Sequence, residues 1–346
     1  MNRYTVTTKQ SRIKLDANEH PYGVHPDLLE PLRRAISGVD CARYPDPSSF
    51  GVRKRVGEYL GASPEQVVVG NGSNEVMAFI ANAFSRDIDR VVIPRPTFGM
   101  YRVVAGREGL PVEEIPTGEG FGLDPDVVRE SVSGGGAMMF LCMPNNPTGN
   151  YFCRDVVEAA LDGGVEVLVI DEAYAEFGEG DFVDLASRDP RVIILRTLSK
   201  AFGLAGVRVG YCVAHPDTAD LIDAARAPYN VSGYAQAAAE VLLDGAEVQL
   251  GSVAAVKRSL GELYGDLRSI PGISPLPSRT NFLLFGVCPE EFGLSSSGLW
   301  SALGERGISV RRFPDEPVLE GYLRVSIGLP PENEEFVDAV RELGGD

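Results

Sequence analysis

A lysine in the segment TLSKAFGLAGVRVGY, residues 197–211, is the first candidate for catalytic chemistry. Lys200 follows a predicted strand, and Thr197, Ser199 and Arg208 are close to it in sequence. A lysine near other cations and partly removed from water has a lowered pKa, and its neutral amine attacks carbonyl groups. An exposed loop lysine is the commoner meaning of a lone Ser-Lys pair, so this segment alone leaves both interpretations open.

Three other segments place polar side chains directly after predicted strands. Asp171 and Tyr174 lie in VIDEAYAEF, Asn146 lies in CMPNNPTGN, and Ser73 and Asn74 open a helix after a glycine turn. Ligands of open α/β sheets bind beyond the carboxyl ends of the strands, so these side chains should line one crevice. The free N–H groups of the helix start suit a phosphate. Helix capping by the acidic residues and an ordinary loop at NNPTG are the alternatives.

The elements that must position these residues alternate between β-branched runs and helical patterns, which predicts an α/β fold with parallel strands. Helices are expected at 73–84 and 154–164. The predicted strands are 66–70, 90–94, 137–142, 166–171, 191–197 and 207–213.

A second, smaller α+β domain is predicted after about residue 230. A long helical stretch covers 235–270, and strands follow at 281–287, 308–312 and 322–328. The segment 16–32 lacks a strong periodicity and could fold back onto this domain. The predicted large domain therefore spans residues 30–245. The small domain is formed by residues 1–29 and 246–346.

Composition excludes several classes of function. The chain has 346 residues, enough for about two domains, with 32 basic and 49 acidic residues and a formal charge of -17. That charge repels nucleic acid and anionic lipid, and no apolar run approaches the roughly 18 residues that cross a membrane. Five cysteines without a C-x-x-C pair and three scattered histidines predict neither a disulfide framework nor a metal site. With no signal-peptide pattern, a cytoplasmic protein is expected.

The chain contains, in this order, the motifs LDANEHPYG, RYPDP, GNGSNE, PRPTFGMY, PNNPTG, DEAYAEF, TLSKAFGLAGVRVGY, PYNVS and YLRVSIG. This ordered set resembles the fold type I pyridoxal-phosphate aminotransferases, and most closely the histidinol-phosphate aminotransferases among them. The resemblance runs from about residue 13 to 328 and implies a large domain with a mainly parallel seven-stranded sheet and a smaller α+β domain. It also implies pyridoxal 5'-phosphate as cofactor, an amine and a 2-oxo acid as substrates, and a homodimer with shared active sites.

The resemblance implies a role for each polar residue around the cofactor ring. Lys200 matches the lysine that bonds to the cofactor and later moves a proton. Asp171 matches the carboxylate that keeps the pyridine nitrogen protonated. Tyr174 and Asn146 match the pair that hydrogen-bonds the phenolic oxygen, and Phe98 matches the aromatic side chain stacked on the ring.

The resemblance also implies two groups of residues that bind anions. Tyr44 matches a tyrosine that reaches the cofactor phosphate of the neighbouring subunit. Arg324 matches the arginine that binds the anionic group of the substrate, and Arg311, or Arg312 if the match slips by one residue, assists it. Tyr22 and Asn230 are expected at the phosphate end of the substrate. The residues matched to the cofactor phosphate cradle are Ser73, Asn74, Thr197, Ser199 and Arg208.

Three departures from the family pattern leave the substrate open: His20 stands in place of Asn, Asn74 in place of Asp, and Phe98 in place of Tyr. A relative that acts on an aromatic or unusual amino acid and a decarboxylase of the threonine-phosphate type are the alternatives. A nicotinamide-dependent dehydrogenase is disfavoured, because the glycines of 203–210 do not have the G-x-G-x-x-G spacing. A binding protein without activity would be expected to lack Lys200 or Asp171.

Overall fold

A mainly parallel sheet of seven strands forms the centre of the first two thirds of the chain. The computed structural model describes residues 11–178 and 180–345. In the sheet order β2-β8-β7-β6-β5-β3-β4, the five strands from β7 to β4 are parallel and β8 runs antiparallel to both of its neighbours. The predicted α/β fold is confirmed. The strands are β1 Ile13–Lys14, β2 Val67–Gly70, β3 Arg90–Arg95, β4 Val112–Pro116, β5 Ala137–Cys142, β6 Val167–Asp171, β7 Val192–Thr197, β8 Gly210–Ala214, β9 Ile273–Pro275, β10 Phe282–Val287, β11 Ile308–Ser309 and β12 Tyr322–Ser326.

Helices cover both faces of this sheet, so its central strands are apolar on both sides. Every residue of β5 is buried, and successive side chains enter opposite cores. Met139 and Leu141 join one hydrophobic cluster, whereas Met138 and Phe140 join another. The helices are α1 Pro26–Ser37, α2 Phe50–Leu60, α3 Ser73–Phe84, α4 Met100–Arg107, α5 Pro125–Val132, α6 Arg154–Asp162, α7 Val183–Ala186, α8 Pro216–Ala224, α9 Gly233–Asp244, α10 Ala246–Leu250, α11 Val253–Arg268, α12 Pro289–Phe292, α13 Ser296–Glu305 and α14 Pro330–Gly344.

The last part of the chain forms smaller sheets. Strands β12, β10 and β9 make an antiparallel sheet, and β1 pairs in parallel with β11. Ile13 and Leu15 belong to the same hydrophobic cluster as Phe282 and Phe285, so the N-terminal segment packs on this part of the chain. The predicted domain boundaries after residues 29 and 245 remain predictions.

The long helical stretch predicted over 235–270 is divided into shorter helices. The structure has three helices there, α9, α10 and α11, with breaks at Gly245 and at Gly251 and Ser252. Apolar periodicity continues across both breaks, and glycine is unfavourable inside a helix because it costs more backbone entropy than other residues. Throughout 11–178 and 180–345, no helix has the length and apolar character that crossing a membrane requires.

Candidate active site

A cavity at the carboxyl ends of β5, β6 and β7 collects most of the polar residues that the sequence singled out. The N-terminal segment and two arginines of the last part of the chain close its other side. The cavity is lined by twelve of the predicted residues: Ser73, Asn74, Phe98, Asn146, Asp171, Tyr174, Thr197, Ser199, Lys200, Arg208, Arg311 and Arg324. It is also lined by six that were not predicted: Lys14, Asp16, Ala17, Asn18, Cys142 and Ala173.

Lys200 has the environment of a reactive amine. Its Nζ donates a hydrogen bond to the Ala17 carbonyl oxygen at 3.1 Å and lies 5.8 Å from the centre of the Tyr174 ring. Removal from water, together with the positive charges of Arg324 and Arg208, lowers the pKa of Lys200 to about 7. A substantial fraction of the amine is therefore neutral near neutral pH and can attack a carbonyl carbon.

The pH dependence of this amine is open to a direct test. In the protein without cofactor, we expect the rate of imine formation with a small aromatic aldehyde to rise with pH and to level off above about 7. The unprotonated amine is the form that reacts, so the rate follows deprotonation of Lys200. Arg324→Gln removes a charge that lowers the Lys200 pKa and should move the midpoint to higher pH. Stopped-flow absorbance measures both rates.

The control for that experiment is Arg188→Gln, which removes an exposed guanidinium that pairs with Asp184 and does not line the cavity. Its midpoint should equal that of the unaltered protein. A midpoint near 10.5, the ordinary value of a lysine, would contradict the described environment of Lys200.

Asp171 ends β6 with a buried carboxylate that faces the cavity. It accepts hydrogen bonds from the Tyr101 hydroxyl at 2.8 Å and from the Ala173 N–H at 3.1 Å. Burial raises the pKa of Asp171 to about 6, although these two donors and the charge of Lys200 oppose the shift. The carboxylate is therefore mostly ionised at neutral pH, and it can hold a protonated nitrogen base.

The neighbouring carboxylate, Glu172, forms a buried ion pair and does not line the cavity. It is buried on the other side of the strand end, where Arg196 donates to it at 2.7 Å, and it accepts the Phe182 N–H at 2.8 Å. Arg196 also lies 3.5 Å from Glu176. Successive side chains of an extended strand point to opposite faces, so two adjacent acids need not share a site. Of this pair, Asp171 belongs to the cavity.

Tyr174, Asn146 and Arg324 form one hydrogen-bonded row. Asn146 Nδ2 donates to the Tyr174 hydroxyl at 3.4 Å, and an Arg324 N–H donates to Asn146 Oδ1. Asn18 Nδ2 also donates to the Tyr174 hydroxyl, at 2.9 Å. No role for Asn18 could be predicted from the segment LDANEHPYG, in which it lies. The signal that the sequence offered for Asn18 was an asparagine within a polar segment. Asparagine tolerates a positive φ, and the φ of Asn18 is 53°.

A backbone bridge brings Arg311 and Arg324 to the same wall of the cavity. The Arg311 N–H donates to the Arg324 carbonyl at 2.8 Å, and the Arg324 N–H returns a bond of 2.9 Å. Arg312 instead lies over the Trp300 ring at 5.0 Å and donates to Ser297. Of the two arginines that the sequence match left open, Arg311 is therefore the one that lines the cavity.

The start of α3 offers an anion site at the opposite wall. The N-cap is Gly72, whose φ of 86° favours glycine and which supplies no capping side chain. Arg208 lies directly beside it and donates to the Ser199 hydroxyl at 3.2 Å. A Cβ on Gly72 would lie 2.2 Å from an Arg208 nitrogen. Exposed helix N–H groups next to a guanidinium are a typical phosphate cradle.

Replacing Gly72 by alanine should therefore weaken binding of a phosphorylated ligand at this cradle. The new methyl group would displace the Arg208 guanidinium, and loss of one charge-assisted contact costs roughly tenfold in affinity or more. Equilibrium dialysis of the variant with pyridoxal phosphate measures the effect.

Gly61→Ala is the matched control for that substitution. Gly61 has a φ of 71°, but a Cβ there would meet nothing within 4 Å. Its ψ of 29° lies in the left-handed region, whereas Gly72, with a ψ of 160°, lies in a region that is nearly restricted to glycine. Gly61→Ala therefore controls for a glycine-to-alanine change at positive φ without touching Arg208, although its strain is smaller. Equal affinity losses in the two variants would show that strain, and not displacement of Arg208, causes the effect.

Three predicted residues lie away from this cavity within the single chain. Tyr44 is 82% exposed and stacks on Tyr229 with ring centres 4.7 Å apart. Tyr22 lines a separate surface cavity between the N-terminal segment and α10 and α11. Asn230 Nδ2 donates at 2.8 Å to the carboxylate of Glu75, which lies in the first turn of α3. Their proposed ligand contacts remain predictions.

Curated relatives match the chain along nearly its whole length. A histidinol-phosphate aminotransferase of Roseiflexus castenholzii is 38% identical over 96% of this chain and 89% of its own. A histidinol-phosphate aminotransferase of Thermococcus gammatolerans is 35% identical over 99% of this chain and 95% of its own.

Solved structures share the fold. Histidinol-phosphate aminotransferase of Sinorhizobium meliloti, solved in complex with pyridoxal-5'-phosphate, superposes with a TM-score of 0.84 at 26% identity, covering 97% of this chain and 92% of that one. L-threonine-O-3-phosphate decarboxylase of Porphyromonas gingivalis superposes with a TM-score of 0.83 at 22% identity, covering 95% and 98%, a likeness of fold alone. The family model of aminotransferase class I and II matches residues 10–340. The chain, with the cavity described above, therefore belongs to the class I and II aminotransferases.

Proposed function

We propose that this protein uses pyridoxal phosphate to transfer an amino group between L-histidinol phosphate and 2-oxoglutarate. The observation that carries the proposal is the charge of the cavity. Besides Lys200, its lining includes the cationic side chains Lys14, Arg208, Arg311 and Arg324, but only the carboxylates of Asp16 and Asp171. A positive cavity in a chain with a formal charge of -17 suits two anionic molecules at once, a phosphorylated cofactor and an anionic substrate.

The residues fit the cofactor group by group. The neutral amine of Lys200 is suited to its aldehyde, the Asp171 carboxylate to its ring nitrogen, and the cradle at α3 and Arg208 to its phosphate. Tyr174 and Asn146 supply polar groups for its phenolic oxygen, and Phe98 supplies a ring face. The Arg208 guanidinium beside the start of α3, where Gly72 leaves room for it, supports an anion site at that wall.

Each side chain has a distinct task in the reaction. When bound, the cofactor supplies an aldehyde and an aromatic ring that accepts electrons from the substrate α-carbon. Lys200, whose pKa is about 7, can take the proton from that carbon and return it to the other reacting carbon. Asp171, ionised at neutral pH, holds the proton on the ring nitrogen. Burial raises the pKa of Tyr174 well above its ordinary value, so its hydroxyl remains a hydrogen-bond donor.

Arg324 and Arg311 supply the specificity for an anionic substrate. Arg324 is largely buried, and its guanidinium lies 5.1 Å from the Phe282 ring and 5.8 Å from the Phe313 ring. It donates to the Asp16 carbonyl at 2.9 Å and so is fixed at its wall. A guanidinium held in this way can bind the phosphate of histidinol phosphate in one half of the cycle and a carboxylate of 2-oxoglutarate in the other.

A half-reaction with purified, cofactor-loaded protein tests this proposal. L-Histidinol phosphate should convert the absorbance of the bound cofactor from its aldehyde form to its amine form rapidly. L-Histidinol, which lacks the phosphate, is the matched substrate and should react at least about tenfold less efficiently, because a charged contact is lost. L-Phenylalanine and L-histidine are tested in the same way, because the alternative is an aminotransferase that acts on an aromatic or unusual amino acid.

Two results would overturn the substrate assignment. Faster conversion by L-phenylalanine or L-histidine would keep the aminotransferase activity but replace the substrate. Release of carbon dioxide from L-threonine phosphate, without conversion by L-histidinol phosphate, would support the decarboxylase alternative.

We also propose a cytoplasmic homodimer in which Tyr44 reaches the cofactor of the partner subunit. The exposed Tyr44 and Tyr229 form an aromatic surface, and all five cysteines, each within the described residues, are free thiols. If the sites are shared, mixing Tyr44→Ala subunits with Lys200→Ala subunits creates one intact site in each hybrid dimer. Activity of the refolded mixture should exceed that of either parent, whereas sites confined to one subunit would give no gain.

A further inference from the structure

Tyr101 is a buried tyrosine behind the cavity that the proposed function has not used. It lies in α4, is 0% exposed and is not among the residues that line the cavity. Its ring is nearly parallel to that of Phe140 in β5, with centres 4.8 Å apart and an interplanar angle of 14°. This stacking fixes the direction in which the hydroxyl points, because a tyrosine has few other degrees of freedom.

The same side chain contacts two residues that face the cavity. Its hydroxyl donates to Asp171 Oδ2 at 2.8 Å. Its ring meets the Phe98 ring edge to face, with centres 5.7 Å apart and planes at 86°. In the proposed function, Asp171 holds the nitrogen edge of the cofactor ring and Phe98 stacks on its face. Tyr101 thus supports both from outside the cavity.

We propose that Tyr101 is a positioning residue that sets the orientation and the charge of the Asp171 carboxylate and, through its ring, the position of Phe98. The inference rests on the proposed function, since it concerns how the chain holds pyridoxal phosphate. Tyr101 itself touches neither cofactor nor substrate.

Electrostatics agree with this role. Burial, and then the neighbouring charge of Asp171, raise the pKa of Tyr101 well above its ordinary value, so its hydroxyl stays protonated while Asp171 titrates. The other titratable groups that face Asp171 are Cys142 of β5, Tyr174 after β6 and Lys200 after β7. Tyr101 supplies a hydrogen bond to the ionised form of Asp171, which lowers the pKa of that carboxyl against the effect of burial.

The affinity for the cofactor should depend on pH because it depends on the charge of Asp171. Deprotonation of Lys200, with a pKa of about 7, gives the cofactor affinity one pH dependence, and pairing with Asp171 gives it another. Asp171 must be ionised to pair with a protonated ring nitrogen, so the contribution of this pair to affinity is full above the Asp171 pKa and falls as the pH decreases through it. That pKa is about 6 in the protein without cofactor. Removing the Tyr101 hydroxyl removes a group that lowers this pKa. The loss of affinity then begins at a higher pH.

Tyr101→Phe tests the proposal with cofactor binding as its readout. The variant keeps the ring and its contacts with Phe98 and Phe140 and removes only the hydroxyl. At about pH 5, below the Asp171 pKa, we expect pyridoxal phosphate to bind the variant roughly tenfold more weakly, because a hydrogen bond that favours the ionised carboxylate is lost. At pH 7 the loss should be smaller, about twofold, because Asp171 remains about half ionised there. The midpoint of the affinity in a pH series should move upward. Equilibrium dialysis measures both quantities.

Tyr211→Phe is the matched control. Tyr211, in β8 of the large sheet, is also 0% exposed, but it belongs to the hydrophobic cluster on the face opposite to that of Tyr101 and does not line the cavity. The Tyr211→Phe variant should bind pyridoxal phosphate with the affinity and the pH midpoint of the unaltered protein. Thermal unfolding of the cofactor-free proteins checks that both variants are folded.

A double-mutant cycle with Asp171→Asn separates positioning from general structural support. If Tyr101 acts through the Asp171 carboxylate, Tyr101→Phe should change affinity at about pH 5 by less than about twofold in the Asp171→Asn background. Three results would overturn the inference. The affinity losses of the two single variants could multiply in the double variant, the pH midpoint of Tyr101→Phe could equal that of the unaltered protein, or Tyr211→Phe could show the same shift of the midpoint. Failure of the unaltered protein to bind pyridoxal phosphate would instead overturn the proposed function.

Discussion

Lys200→Ala should abolish turnover while the protein still binds pyridoxal phosphate. The substitution removes both the group that bonds to the cofactor and the base that moves the proton, so we expect a loss of roughly four orders of magnitude or more. Asp171 and the cradle at α3 and Arg208 remain, and they should retain the cofactor without a covalent bond. Steady-state turnover and dialysis against pyridoxal phosphate measure the two effects separately.

Lys257→Ala provides the control, because Lys257 is an exposed lysine of α11 that does not line the cavity. Borohydride reduction adds a chemical readout: it should attach the cofactor to the unaltered protein and to Lys257→Ala but not to Lys200→Ala, as mass spectrometry would detect. Appreciable turnover by Lys200→Ala would contradict the assignment of the nucleophile.

The central strands of the large sheet could be predicted because burial on both faces leaves a strong signal. β5 has its predicted bounds of 137–142, and α3 has its predicted bounds of 73–84. In both, apolar residues are bounded by glycine or by polar turn residues. The edge strand β4 was missed, since its sequence VEEIP has a single buried residue, Ile115. A half-exposed edge strand is defined by its pairing with β3, which leaves little trace in its own composition.

The site was predicted unevenly for a related reason. Residues that directly follow strands, such as Asp171 and Lys200, could be placed because the carboxyl edge of a parallel sheet is a shared location. Asn18 and Tyr101 could not, because each acts through a contact far away in sequence, with Tyr174 and with Asp171 respectively. Such contacts depend on how α4 and the N-terminal segment pack, which no local pattern records.

The separation of Asp171 from Glu172 shows what the fold adds to a motif. In sequence, the pair reads as two equivalent acids at a strand end. In the structure, burial raises the pKa of both, to about 6 for Asp171 and about 7 for Glu172. Glu172 is paired with the buried Arg196 of β7, which also contacts Glu176 and Asp181. Asp171 faces the cavity and keeps its charge available for a ligand.

Asp171→Asn should reduce turnover by roughly two to three orders of magnitude, the range expected when a preorganised charge is removed from a reacting centre. Asparagine preserves the shape but cannot keep the ring nitrogen protonated, so the ring becomes a poorer electron acceptor. The measurement is the rate of the half-reaction with L-histidinol phosphate, followed by absorbance. Asp184→Asn, at an exposed site outside the cavity, should leave that rate unchanged.

A cofactor analogue methylated on the ring nitrogen makes this test specific. The methylated ring carries a permanent positive charge and no longer needs a carboxylate to keep a proton. Reconstitution of Asp171→Asn with the analogue should therefore recover part of the lost rate. The same analogue should give the unaltered protein no advantage, because Asp171 already maintains the charge. A variant that stays equally slow with either cofactor would show that Asp171 matters for packing and not for the charge of the ring.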